Sequence, residues 1–195
     1  MHIGGYFIDN PIALAPMAGI TDKPFRRLCR AFGAGWAVCE MLTSDPTLRN
    51  TKKTPVWVNG DITSPQKAQA VLKQTAADGI MIGRGAQGRP WFFRDLKHYA
   101  EHGVLPPALS LAECAAAILN HIRAIHAFYG DSAGVRIARK HIGWYIGEMP
   151  DGEQTRREIN RLDSAAAQYD TLAGYLERVA EKTDGWACAY RQNAV

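Results

Sequence analysis

Over roughly its first hundred residues the chain alternates short apolar runs with amphipathic helical stretches, and then the alternation stops. The runs are Pro11-Ile-Ala-Leu-Ala-Pro16, Trp36-Ala-Val-Cys-Glu-Met-Leu42, Pro55-Val-Trp-Val58 and Gly79-Ile-Met-Ile-Gly83. A continuous apolar run suits a strand buried on both faces. Strands alternating with helices imply parallel pairing through βαβ crossovers. Four such units in a chain of 195 residues fall short of a complete (β/α)8 barrel, which takes about 250 residues. The expected fold class is therefore α/β for the first part, with half a barrel's worth of units.

The helices between the runs carry recognisable starts. Thr21-Asp22-Lys23-Pro24 offers a cap residue and an early proline, and the helix behind it places Phe25, Leu28, Cys29 and Phe32 on one side. Ser64-Pro65 opens another, with Ala68, Val71 and Leu72 as its apolar stripe. Residues 43–54 are polar and follow neither the helical nor the strand period. From Pro106-Pro107 onward only helical spacing remains. Ser110 and Glu113 form a capping box ahead of Ala115, Ile118, Leu119, Ile122, Ile125 and Phe128, a stripe that ends at Tyr129-Gly130. A second helix spans Arg136 to Tyr145. A third, from near Asp151, carries Ile159, Leu162, Ala166, Tyr169, Leu172 and Leu176. The expected organisation is an α/β domain over 1–105, an all-α helical bundle over 106–182 and a loose tail over 183–195.

Composition excludes several classes. With 47% hydrophobic and 22% charged residues the chain is neither disordered nor fibrous. No run approaches the 18 apolar residues of a membrane span, and the N-terminus lacks the pattern of a signal peptide, so the cytoplasm is the expected compartment. Cys29, Cys39, Cys114 and Cys188 include no Cys-x-x-Cys pair, which points to buried thiols rather than a disulfide framework or zinc site. His98, His102, His121 and His126 show no ligand spacing with carboxylates, so no metal site is expected. No Ser/His/Asp arrangement is readable either.

Three strand ends carry chemistry. Pro16-Met17-Ala18-Gly19 follows the first strand, Asn59-Gly60-Asp61 the third and Gly83-Arg84-Gly85 the fourth. Ligands of parallel α/β folds bind beyond the carboxyl ends of the strands. Glycine there lets the backbone aim N–H groups at an anion, a helix N-terminus adds a favourable dipole, and Arg84 adds a full charge. Asn59-Gly60 alone is as consistent with a hairpin turn. Between an apolar strand and a capped helix, the phosphate loop is the stronger reading. In the bundle, Arg136, Arg139, Lys140 and His141 form a basic run near Trp144 and Tyr145. It is either a solvated helix face or a surface for nucleic acid phosphates.

Taken together, Ala15-Pro16-Met17-Ala18-Gly19-Ile20-Thr21-Asp22-Lys23-Pro24-Phe25-Arg26, Cys39-Glu40-Met41, Asn59-Gly60-Asp61-Ile62, Met81 to Trp91 and Arg136-Ile-Ala-Arg139-Lys140-His141 resemble the tRNA-dihydrouridine synthases, specifically the bacterial branch. The resemblance implies an FMN-bearing TIM barrel followed by a helical domain that grips tRNA. It implies NADPH as reductant, and hydride transfer to a uridine whose C5 is protonated by a cysteine. By the same resemblance Pro16, Met17 and Ala18 would line the flavin, and Asn59, Gly60, Asp61, Gly83 and Arg84 would hold its phosphate. Arg136, Arg139 and Lys140 would meet tRNA phosphates.

The chain departs from that pattern in its middle. The family's Asn-x-Gly-Cys-Pro loop, its Lys-x-Arg strand end and its His-Gly-Arg strand end are all missing. The sequence passes from second-strand features before about Leu48 to seventh-strand features at Thr54. The expectation is a partial barrel of units 1, 2, 7 and 8, with strand order 7-8-1-2 and two open edges. Such edges invite self-association. The chain would be a weak or inactive synthase without its general acid. The alternatives are a non-catalytic tRNA-binding remnant, or a phosphate- or flavin-binding half barrel.

Overall fold

The structure is a computed structural model that describes residues 2–3, 5–38 and 56–182. The chain divides into two compact units. Among the described residues, one comprises those up to 86 together with 90–106, and the other comprises 87–89 and 107–182.

In the first unit, β1 (His2–Ile3) and β2 (Tyr6–Phe7) form an antiparallel hairpin. The main sheet has four strands: β3 (Ile12–Leu14), β4 (Trp36–Ala37), β5 (Trp57–Val58) and β6 (Gly79–Ile82). Its order is β4-β3-β6-β5, and every pairing is parallel. That is the order 2-1-8-7 expected for neighbours in a barrel. The carboxyl ends of all four strands therefore share one rim.

Three helices support the sheet. The first, α1 (Lys23–Ala31), starts where the sequence says, with the Asp22 carboxylate accepting from the Phe25 N–H at 2.8 Å. The second, α2 (Pro65–Thr75), is capped by Ser64, and α3 (Phe92–His102) follows the loop after β6. They contribute Phe25, Cys29, Phe92, Phe93 and Leu96 to the core, beside buried Ile12, Leu14, Ile80 and Ile82 of the sheet.

Alternation along the strands gives the sheet a second face, carrying Ala13, Met81, Trp36 and Trp57. Trp36 and Trp57 lie on the two outermost strands, yet their ring centroids are 5.0 Å apart in an edge-on contact. Flat strands at about 4.8 Å spacing would hold those positions some 14 Å apart. The contact therefore requires that the sheet curl and the indoles lean across it. Small residues make room: Ala13 pairs with Trp36, and a Cβ on Gly79 would come within 2.7 Å of the Trp57 ring.

The second unit is all-helical. Its longest helix, α4 (Leu111–Ile146), begins with the expected capping box, in which Ser110 N–H donates to Glu113 at 2.8 Å. The helical backbone breaks at Gly130, whose φ of 76° and ψ of 178° separate two helical arms. The expected third helix is instead two, α5 (Gly152–Ile159) and α6 (Ala165–Lys182). The break is set partly from α4, because Asp131 accepts from the Ala165 N–H at 2.7 Å, and partly by Ser164, which opens the last helix. Ile118, Ile122, Ile125, Val135, Ala138, Ile142, Ile146, Ile159, Leu172 and Leu176 form the core, whereas Phe128 is 52% exposed, against the stripe expected of it. Cys114 is disulfide-bonded, so the expectation of thiols alone fails there. No helix among the described residues is long and apolar enough to cross a membrane.

If the indole pair holds the sheet's curl, Trp57→Ala lowers stability by about 2 kcal/mol, less than the loss at a fully buried aromatic. Urea denaturation followed by circular dichroism reads this; an unchanged midpoint would remove the pair from the core.

Candidate functional site

The rim is built by three loops that the sheet order brings side by side. After β3 the chain is locked by Thr21, which is 1% exposed. Its hydroxyl donates to the Ala15 carbonyl at 3.0 Å and accepts from the Met17 N–H at 2.7 Å. The Met17 carbonyl in turn accepts from the N–H groups of Ile20 and Thr21, closing a tight turn through Gly19 at φ 65°. This turn holds Pro16 and Met17 half-buried and Ala18 exposed at the strand end. Thr21 is the positioning residue that sequence reasoning missed; the signal was a lone hydroxyl in an otherwise apolar strand-to-helix turn.

The loops after β5 and β6 meet beside it. A Cβ on Gly83 would lie 3.7 Å from both Ala15 Cβ and Met17 Sδ, so the first and last strand ends touch. A Cβ on Gly85 would come within 2.5 Å of the Ile62 carbonyl, so only glycine lets the two glycine loops approach this closely. Gly60 has φ 136° with open space around it, and Asp61 adopts φ 41°. The chain then turns through a short 3-10 segment, Arg84–Ala86, with Ala86 N–H bonded to the Gly83 carbonyl.

Arg84 and Asp61 form an ion pair with both side chains largely exposed. A carboxylate cannot itself face a phosphate. Asp61 could serve an anion only through its main chain, while its side chain holds and partly neutralises Arg84.

Pro16, Met17, Ala18, Asn59, Gly60, Asp61, Gly83 and Arg84 thus stand on the carboxyl ends of three adjacent parallel strands. The donor set, of glycine loops, a 3-10 turn and one exposed guanidinium, has the chemistry of a phosphate cradle. Cys39, Glu40 and Met41 lie outside the described residues. Cys29 is fully buried and its thiol is pushed up by desolvation, which leaves it inert.

In the helical unit the basic run does not act as one face. Arg136 is exposed. Arg139 turns back, donating to the Leu162 carbonyl at 3.0 Å and pairing with Asp163 at 3.1 Å, so it ties α4 to the turn after α5. His141 is buried beside His121, their rings 5.0 Å apart, and His121 Nδ1 lies 2.9 Å from the Tyr145 hydroxyl. Burial lowers His121 to about 4, and burial together with the neighbouring His121 and Lys140 lowers His141 to about 2.

Comparison with known proteins agrees with this geometry. The chain matches the family described as "Dihydrouridine synthase (Dus)" over residues 13–54 and 48–181, and it belongs to that family. Among its relatives is a protein of Pseudomonas putida named tRNA-dihydrouridine synthase B, 51% identical over 317 positions, covering 90% of this chain and 94% of the relative. Proteins of the same name from Vibrio cholerae (48% over 321 positions, 92% and 100%) and Serratia marcescens (45% over 325 positions, 94% and 97%) are also similar. Alignments of this length exceed the 195 residues of the chain, so a long stretch of each relative has no counterpart here. The two family matches meet at residues 48–54, where the sequence jumps.

The buried imidazoles make the helical unit acid-sensitive. Both are neutral in the fold and titrate below their ordinary value of 6.5, so the unfolded chain takes up protons first. Stability is full above pH 6.5 and falls as pH drops toward 4, by about 3 kcal/mol through His121 alone. Urea midpoints at pH 7 and pH 4 measure this. His121→Gln is expected to lose less over that interval, and an equal loss in both proteins would contradict the assignment.

Proposed function

We propose that this chain carries the phosphate-holding half of an FMN site and the tRNA-binding unit of a tRNA-dihydrouridine synthase. On this reading its first 105 residues are barrel units 1, 2, 7 and 8, residues 106–182 engage tRNA, and the compartment is the cytoplasm. The reading is carried by one observation above all: the family's first, seventh and eighth strand ends lie on one rim of a parallel sheet.

The residues present suit the phosphate end of the cofactor. Main-chain groups of Asn59, Gly60, Asp61 and Gly83 would surround the phosphate, with Arg84 swinging from Asp61 to meet its charge. Pro16, Met17 and Ala18 would lie along the ring, the Thr21 lock keeping that loop in place. When bound and reduced by NADPH, the flavin supplies hydride for converting a uridine of tRNA to 5,6-dihydrouridine. Exposed Arg136 and half-buried Lys140 would meet tRNA phosphates, while Arg139 contributes mainly to the bundle's own geometry.

Protonation of the substrate at C5 has no group assigned to it. A positioned general acid contributes about 10²–10⁴-fold, and the family's cysteine loop is missing from the sequence. Among the described residues no accessible thiol stands near the rim. Product formation is therefore slow, and a tRNA-binding role without catalysis is the second reading. The outer strands β4 and β5 leave two sheet edges that suit pairing with a second copy.

Flavin fluorescence quenching tests the site. FMN is expected to bind at least tenfold more tightly than riboflavin, and Arg84→Gln is expected to remove most of that difference. Equal binding of the two, or no binding of either, would refute the phosphate site. Light scattering on the same sample is expected to give the mass of two chains, and a monomer would dismiss the edge pairing.

A further inference from the structure

Helix α3 ends in two imidazoles one turn apart, His98 and His102. Their rings are stacked, with centroids 4.3 Å apart and planes at 23°. Each Nδ1 sits on a main-chain carbonyl. His98 Nδ1 lies 2.9 Å from the Val104 oxygen, and His102 Nδ1 lies 3.0 Å from the His98 oxygen. Gly103 makes the first of these contacts reachable, because its φ of 72° ends the helix in a left-handed turn and leads Val104 back over the last turn.

A carbonyl oxygen only accepts, so each Nδ1 must carry the proton. Each neutral ring then presents its lone pair at Nε2. The same tautomer is thus set twice, by the main chain, on neighbouring side chains of one exposed helix end. Metal-binding histidines are oriented in this way, donating one ring N–H to a carbonyl while the other nitrogen faces the ion. Positions i and i+4 are neighbours on a helix surface. Two nitrogens each about 2.0–2.1 Å from a single ion lie roughly 3.5 Å apart. The rings are already neighbours, with centroids 4.3 Å apart, and turning them out of their stack would aim both in-plane Nε2 lone pairs at one ion.

We propose that His98 and His102 form an open, two-histidine site for a divalent transition-metal ion. Among the described residues no set of three His, Cys, Asp or Glu side chains gathers to hold a metal, so water would fill the remaining positions. Such a nitrogen pair prefers Cu²⁺, Ni²⁺ and Zn²⁺, with Cu²⁺ tightest, over the oxygen-seeking Mg²⁺ and Ca²⁺. The bound ion would clamp the last turn of α3. The site lies outside the flavin rim and does not depend on the flavin reading.

Calorimetric titration of the full chain with NiCl₂, ZnCl₂ and MgCl₂ near pH 7.5 tests this. One Ni²⁺ or Zn²⁺ per chain is expected, with no Mg²⁺ binding. The double variant His98→Gln/His102→Gln, its fold checked by circular dichroism, is expected to lose at least tenfold in affinity. His2→Gln, which tests the chain's first histidine as a rival, is expected to leave binding unchanged. Absence of Ni²⁺ and Zn²⁺ binding, or equal binding by the double variant, would overturn the site.

Discussion

The pairing of β3 with β6 is the interaction on which the rest of the first unit depends. It joins strands far apart in sequence, with Ile12 opposite Ile80 and Leu14 opposite Ile82. Four isoleucine and leucine side chains along this seam are buried, and the Ala15 N–H closes onto the Ile82 carbonyl at 2.7 Å. Because the strands are parallel and in register, Met17 arrives beside Gly83. A slip of one residue would turn the buried side chains to the other face and separate the two loops. The meeting of the three loops is thus a by-product of core packing, because their strands are neighbours in the sheet.

The other face of the sheet is closed differently. Trp36 and Trp57 meet across the second face of the sheet, over the small floor of Ala13 and Gly79. Two indoles can occupy the space but cannot replace a functional loop. The structure keeps what neighbouring strands supply, a rim of three adjoining loops.

Much of this was legible in the sequence wherever the signal was local. Asp22, Ser64 and the Ser110–Glu113 pair cap their helices as their residue types require, Gly130 breaks a helix, and the order of the four strands follows from the motifs. Long-range contacts were not legible. Nothing in the spacing of Trp36 and Trp57 tells that they touch, since the sheet's curl decides it. The role of Thr21 depends on two main-chain groups that only the folded turn brings together. Arg139 and His141 read as part of one basic run, whereas Asp163 claims the first and the bundle core buries the second. The split between α5 and α6 was missed because Asp131, which helps make it, lies on another helix.

The central claim is that this chain retains the cofactor and tRNA ends of the family's machinery without its proton donor. Dihydrouridine formation on tRNA lacking the modification, with FMN and NADPH supplied, tests it against a relative such as the Pseudomonas putida protein. The account predicts product at a rate about 10²–10⁴-fold below the relative's. A rate within tenfold of the relative's would contradict it.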